Sequence, residues 1–234
     1  MGDSGTKRYV KAGRIDQQGM RMFQDQVAAE RQFLIKTAEG DCFSVNCTPE
    51  NLEDLALGQL FFHGCIENAA QAEKVEVFPE KGEIQVQTVR TWESKKQAEK
   101  KQGKADDPAD LFQTAEKIFS DPGPLFTDTG CAHACVLYRR GEILCRREDI
   151  GRHNALDKII GYGLKKQIDF GEAVVFTTGR VSGDYMGKIV KSGIKTVVSR
   201  AAVTDEAIKA ARDHGITLYG FVRKGEGNLY SPQI

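Results

Sequence analysis

Nowhere in the 234-residue chain do apolar residues run unbroken for the ~18 positions a membrane-spanning helix needs, so no such helix is expected. Net charge is lacking too, because 33 Lys and Arg offset 33 Asp and Glu. Without a global positive field, sequence-independent nucleic-acid binding has no electrostatic support, and only a local basic patch stays compatible with neutrality. The opening, MGDSGTKRYVKAGRIDQQGM, has no apolar core of the kind a secretory signal carries. It meets the N-myristoylation pattern only in Gly2 and Thr6, and a disordered start is the plainer expectation. These absences point to the cytoplasm, a reducing compartment. There Cys42, Cys47, Cys65, Cys131, Cys135 and Cys145 are expected as free thiols, buried or reactive. No internal repeat is present.

What is present reads as two parts. Residues 1–90 are expected to form a smaller mixed α+β domain. RQFLIKT and CFSVNC flank AEGD as a hairpin, and KVEVFPEKGEIQVQTVR reads as another around Pro79 to Gly82. Between them TPENLEDLALGQLFFHG reads as a helix, with Thr48 as N-cap, Pro49 in the first turn and Gly64 at the stop. His63, at its end, reads as a C-terminal helix charge. Residues 91–123 begin with TWESKKQAEKKQGKADDPADL, rich in charge and poor in apolar residues, expected as a solvated linker or exposed helix.

Residues 124–234 read as a layered α/β domain. A hairpin, ACVLYRRGEILCRRED, precedes the helix HNALDKIIGYGLKKQ. The strands EAVVFTT, KTVVSR and ITLYGFVR then alternate with the helices VSGDYMGKIVKSG and TDEAIKAARDHG, as in a parallel sheet. ITLYGFVR is expected to be the last strand. Cys145 reads as an inward strand residue.

Ligands of open α/β sheets gather beyond the carboxyl ends of the strands. Three segments fall there. REDIGRHN opens a helix, so backbone amides with Arg152 and His153 suit an anion, while Asn154 and Asp157 read either as contacts to a polar ring or as helix caps. TTGRVSGD runs from a buried strand into a helix, with Gly179 permitting close approach and Arg180 and Ser182 supplying charge and hydroxyl. It shares the logic of a phosphate-binding turn without the GxxxxGK[ST] pattern. GFVRKGEGNLY ends the last strand in a glycine-rich loop bearing Arg223 and Lys224, either a flexible surface loop or a clamp on the same anion. Together they suggest a ligand that carries phosphate.

DTGCAHAC sets Cys131, His133 and Cys135 close together. A zinc site needs a further ligand, and neither the H-x-E nor the PCxxC of the zinc deaminases is present. A redox pair, a lone reactive thiol able to hold a persulfide, and simple burial also stay open.

At TG-x-H, REDIGRHNALDKIIG, GRVS and GITLYGFVRKGEGNLY, and at TPENLEDLALGQLFFHG, the chain resembles the FdhD family of formate dehydrogenase accessory sulfurtransferases, over roughly residues 27 to 232. The resemblance implies a cytidine-deaminase-like α/β fold. It implies sulfur taken as a persulfide from a cysteine desulfurase and passed to bis-molybdopterin guanine dinucleotide, the cofactor of formate dehydrogenase. It also implies cofactor binding at Phe221, Val222, Arg223, Lys224, Gly225 and Glu226, although the family is often basic where Glu226 stands. Arg152, His153, Asn154, Asp157, Gly179, Arg180 and Ser182 would hold the rest of the nucleotide, and a homodimer is a further expectation. The family's usual CGxCG cysteines are missing, because no cysteine lies between Cys65 and Cys131. Either Cys131 or Cys135 carries the sulfur, aided by His133, or the chain is a cofactor-binding chaperone without sulfur transfer.

Overall fold

Three sheets organise the computed structural model, which describes residues 5–89 and 107–232. Residues 1–4 of the MGDSGT start and most of the charged segment after residue 90 lie outside the described residues. The strands β1 (Lys7–Asp16) and β2 (Gly19–Ala28) pair antiparallel along their whole length as a two-stranded arm.

The second sheet has the order β4-β3-β6-β5. Its strands are β3 (Arg31–Thr37), β4 (Cys42–Cys47), β5 (Ala72–Phe78) and β6 (Glu83–Thr88), and both expected hairpins are present. Alternation puts Phe33, Ile35, Ile84 and Val86 inward, where they bury the helix α1 (Leu52–His63). The helix starts later than its sequence predicts. Asn51 caps it in a left-handed conformation, and Thr48 lies buried upstream, bonded to the other half of the molecule. Gly64 ends it in the left-handed region (φ 81°). His63 stands in the last turn as expected; its ring stacks on Phe43 at 4.2 Å, and burial with Lys188 and Lys191 nearby holds its pKa below 6.5.

The third sheet has six strands in the order β12-β11-β10-β9-β7-β8. Here β7 (His133–Arg139) and β8 (Glu142–Asp149) form the hairpin, and β9 (Val174–Thr177), β10 (Thr196–Ser199) and β11 (Thr217–Arg223) run parallel. A twelfth strand, β12 (Glu226–Ser231), follows a tight turn at Lys224 and Gly225, so ITLYGFVR is not the last strand and GFVRKGEGNLY is a hairpin rather than a loop. Successive residues point to opposite faces. Leu137, Val175, Val197 and Leu218 meet α4 (Arg152–Lys165), α5 (Gly183–Ser192) and α6 (Asp205–Asp213). Val136, Phe176, Val198 and Tyr219 meet Leu111, Ala115, Ile118 and Phe119 of α2 (Pro108–Ser120) on the other side. The chain is thus a layered α/β structure joined to a smaller α+β unit. Residues 108–120, inside the segment expected as linker, cover a face of the sheet, because their apolar side chains recur at helical spacing.

The two units meet where α1 crosses α4. A Cβ on Gly58 would collide with the Asp157 backbone, and one on Gly161 with the Asp54 carbonyl. Glycine at both places lets the two backbones touch. A short helix, α3 (Pro124–Thr129), precedes β7, and the buried Glu148 carboxylate accepts the amides of Leu125 and Phe126 at its start.

Candidate functional site

At the carboxyl ends of the parallel strands lies a cavity of about 470 Å³. Thr178 and Arg180 reach it from the end of β9, Arg200 to Ala202 from the end of β10, and Phe221 and Arg223 from β11. His133 at the start of β7, beside Thr178, completes the lining with Pro122 and Phe126. Three guanidinium groups and two aromatic rings therefore surround one space.

Local sequence explains how the rim is held. The loops after β9 and β10 are zipped together by a parallel bridge between Val181 and Val203 and by the Val181 amide on the Ala202 carbonyl (3.0 Å). Fully buried Ser199 joins the same loops, its hydroxyl 2.9 Å from the Gly179 carbonyl and 3.2 Å from that of Ala201. Phe221 has φ 54°, and the ladder to β12 shifts register between Gly220 and Arg223. Such a bulge re-aims a side chain, and a non-glycine residue held there is strained. Here it leaves the Phe221 ring on the cavity and 39% exposed, with its amide on the Ala201 carbonyl (3.0 Å).

His133 faces the cavity half-buried. Burial, then Arg152 and Arg180, hold its pKa below 6.5, so at neutral pH it is an uncharged imidazole. Cys131, two residues earlier, is exposed, and its amide bonds to the Thr129 hydroxyl at 3.1 Å. Cys135 differs in every respect. It is 0% exposed beneath the sheet, 3.1 Å from the Tyr185 hydroxyl, and burial pushes its thiol up to about 11. A sealed thiol that resists ionisation is a poor nucleophile, so Cys135 is not placed to carry sulfur. Cys145 is buried as well, its thiol also pushed to about 11. Among the described residues no three His, Cys, Asp or Glu side chains gather as metal ligands.

The REDIGRHNALDK segment serves the join between the two units more than the cavity. Asp149 is wholly buried. One carboxylate oxygen accepts the Gly151 amide (2.9 Å) and the Asn154 side chain (2.9 Å), and the other accepts the Thr48 amide (3.1 Å). Lys158 completes it, 2.7 Å from Asp149 and bonded to the Thr48 and Glu148 carbonyls. Asn154 also reaches the Asn46 carbonyl at 2.7 Å. Asp157 pairs with Lys188 (2.6 Å) and accepts Gln59 of α1 (2.7 Å); its burial outweighs Lys188 and lifts the carboxyl to about 6. Asn154 and Asp157 therefore do not read a ligand. At the start of α4, expected to take an anion, the Asp149 carboxylate already holds the Gly151 amide.

At the start of α5 stands an exposed carboxylate, that of Asp184. The Ser182 hydroxyl bonds to Asp184, Asp184 also accepts the Tyr185 amide at 2.9 Å, and His153 lies 3.3 Å from the same carboxylate. Burial nonetheless keeps the His153 pKa below 6.5. Arg152 stands behind the cavity, its guanidinium 3.5 Å from Ser182 and its Nε buried without a hydrogen-bond partner. Gly179 is glycine for a spatial reason, since a Cβ there would lie 2.8 Å from that of Arg152.

Of the expected ligand residues, Arg180, Phe221 and Arg223 line the cavity with His133. Val222 points into the core beneath α2, while Lys224, Gly225 and Glu226 stand exposed on the hairpin turn. Arg200, Phe126 and Pro122 escaped the sequence reading. Arg200 was findable, because it ends KTVVSR as Arg180 follows EAVVFTT; Phe126 was not, because only the packing of α3 brings it to the rim.

A model of the FdhD/NarQ family matches residues 105–233. The chain is 29% identical to the sulfur carrier protein FdhD of Listeria innocua over 248 residues, covering 94% of this chain and 95% of that one. It is 30% identical to the sulfur carrier protein FdhD of Staphylococcus haemolyticus over 213 residues, 80% of this chain and 81% of that one. A solved structure described as a formate dehydrogenase accessory protein from Desulfotalea psychrophila superposes with a TM-score of 0.84 at 26% identity, over 97% of this chain and 98% of that one.

Proposed function

The chain belongs to the FdhD/NarQ family, and we propose that it is a sulfur-carrying accessory protein of formate dehydrogenase. In this reading it binds bis-molybdopterin guanine dinucleotide and transfers to it sulfur drawn from a cysteine desulfurase. The observation that carries it is the cavity itself: Arg180, Arg200 and Arg223 beside Phe126 and Phe221, with Cys131 one residue from the lining. Guanidinium groups hold phosphate oxygens in pairs, and aromatic faces stack on bases. Small-molecule sites span roughly 300 to 1,000 Å³, so a cavity of about 470 Å³ suits one nucleotide end of the cofactor rather than the whole.

The chemistry falls to Cys131. Its thiolate attacks the outer sulfur of the desulfurase persulfide, the S–S bond there breaks, and the desulfurase thiolate leaves. Delivery would break the Cys131 persulfide S–S bond and return the Cys131 thiolate; leaving the sulfur atom as sulfide on the bound cofactor would take two electrons, supplied by a pair of external thiols that are oxidised to a disulfide. Uncharged His133 can accept the thiol proton at the cavity wall.

The test is to incubate the protein with a cysteine desulfurase and cysteine, alkylate, and map persulfides by mass spectrometry. A persulfide on Cys131, lost in Cys131→Ala, supports the carrier. The absence of cysteine between Cys65 and Cys131 favours a second reading, a chaperone that holds the cofactor without moving sulfur. No persulfide on any cysteine, with guanosine diphosphate still bound, would establish that reading instead.

A further inference from the structure

Most of the large apolar side chains exposed among the described residues sit in one place. Tyr9, Val10, Ile15, Met20 and Met22 belong to the β1–β2 arm, whereas two of the other three, Phe126 and Phe221, line the cavity. The register explains the arm's apolar face. Ile15 is opposite Met20 and Gly13 opposite Met22, so these side chains share one side of the ribbon, with Gly13 opening a gap against which Met20 packs. Ile15, Met20 and Met22 are each at least 65% exposed. Two-stranded ribbons are marginal in water by themselves, and a methionine-rich apolar face is adaptable enough to settle against another surface.

The arm is also basic within a neutral chain: it carries Lys7, Arg8, Lys11, Arg14 and Arg21 but only two acidic residues, Asp16 and Asp25. Its base is tied to the cavity wall. Lys7 is paired with Asp128 of α3, and the same helix carries Phe126 to the cavity rim. The base of the arm and the cavity mouth are neighbours, and the apolar end of the ribbon stands about 25 Å further out.

We infer that the β1–β2 arm docks the protein that receives the cavity's ligand, through an apolar groove rimmed by carboxylates on that acceptor. This rests on the proposed function, in which the acceptor is formate dehydrogenase. The acceptor, rather than the sulfur donor, is assigned because a large partner gripped along the ribbon lies over the cavity mouth at its base, where a leaving ligand must pass directly to it. The arm's positive charge selects an acidic rim and speeds encounter, and its apolar face supplies the contact.

Two variants of the full chain separate the contributions: Ile15→Ser with Met20→Ser and Met22→Ser removes the apolar face, and Lys11→Glu with Arg14→Glu reverses the charge. Both change exposed positions that hold no core. Binding to purified cofactor-free formate dehydrogenase is measured by biolayer interferometry at two salt concentrations, and guanosine diphosphate affinity is measured in parallel. Each variant is expected to bind the dehydrogenase at least about tenfold more weakly, the wild-type affinity to fall with salt, and nucleotide affinity to stay the same. Undiminished dehydrogenase binding by both variants overturns the inference. So does loss of self-association by sedimentation, of desulfurase binding, or of binding to phosphatidylglycerol vesicles in place of dehydrogenase binding. Failure of the wild type to bind guanosine diphosphate would instead strike the proposed function, and is read separately.

Discussion

Lys158 on α4 lies 2.7 Å from Asp149 at the end of β8, and neither side chain has any exposed surface. Around this pair close the Thr48 backbone, the Gly151 amide and the Asn154 side chain, so one buried cluster fastens the smaller unit to the larger. Removing one member leaves the other charged and unpaired in the interior. Lys158→Met is expected to cost about 3–5 kcal/mol of unfolding free energy. Asp149→Asn with Lys158→Met should cost less than the two single losses added. Urea denaturation measures all three; additive losses would mean that the pair is not coupled.

The helix crossing gives a sharper contrast between two glycines. A Cβ at Gly161 would lie 1.8 Å from the Asp54 carbonyl oxygen, far inside van der Waals contact, whereas one at Gly187 on α5 meets nothing within 4 Å. Gly161→Ala should destabilise by at least about 2–3 kcal/mol, because α1 and α4 must separate. Gly187→Ala should stabilise by up to about 1 kcal/mol, through helix propensity and a less flexible unfolded chain. Thermal unfolding of both variants side by side decides it.

Cys131 and Cys135, four residues apart, should react at very different rates. With its thiol at about 11, Cys135 is roughly one part in a thousand thiolate at pH 8, and it is sealed from reagent. Iodoacetamide should label exposed Cys131 in the native protein and reach Cys135 only after denaturation. Peptide mapping of alkylation against time gives the answer, and equal rates would refute the burial argument.

His133 sets a pH dependence for anion binding. Burial and the neighbouring Arg152 and Arg180 disfavour its protonated form, so its pKa lies below the ordinary 6.5. A bound anion favours that form, so binding takes up a proton as pH falls through this range. Sulfate, which keeps its charge here, should therefore bind about threefold to tenfold more tightly near pH 5.5 than near pH 8. In His133→Gln the affinity should be flat with pH. Calorimetric titration across that range checks both; an equal slope in the variant would place the proton elsewhere.

The cavity arginines should separate from the hairpin-turn lysine. Arg180→Ala or Arg200→Ala should weaken guanosine diphosphate binding about ten- to a hundredfold, the worth of a charge-assisted contact to phosphate. Lys224→Ala, on the turn beyond the cavity, should change it less than about twofold. Equal effects at all three positions would mean a diffuse electrostatic surface rather than a built site.

Local sequence by itself determined the elements of this protein. Alternation in RQFLIKT and CFSVNC, the unbroken apolar run of EAVVFTT, the glycine stops at Gly64 and Gly193 and the Thr204 cap each follow from nearest-neighbour physics, and each stands where the pattern places it. The strand-end rule also led to Arg180 and Arg223 on the cavity. Tertiary structure decided the rest. Thr48 has the composition of a helix cap, yet its amide and hydroxyl serve Asp149 and Ile150, about a hundred positions away in the chain. Arg152 and His153 look suited to an anion, and Asn154 and Asp157 to a polar ring or a cap, yet the buried Asp149 carboxylate of β8 holds the Gly151 amide and Asn154, and the exposed Asp184 carboxylate of α5 faces His153. Cys131 and Cys135 look alike in sequence, and only the depth of β7 in the sheet separates an exposed thiol from a sealed one. Which donor meets which acceptor, and which thiol meets water, depends on long-range packing that no local pattern encodes.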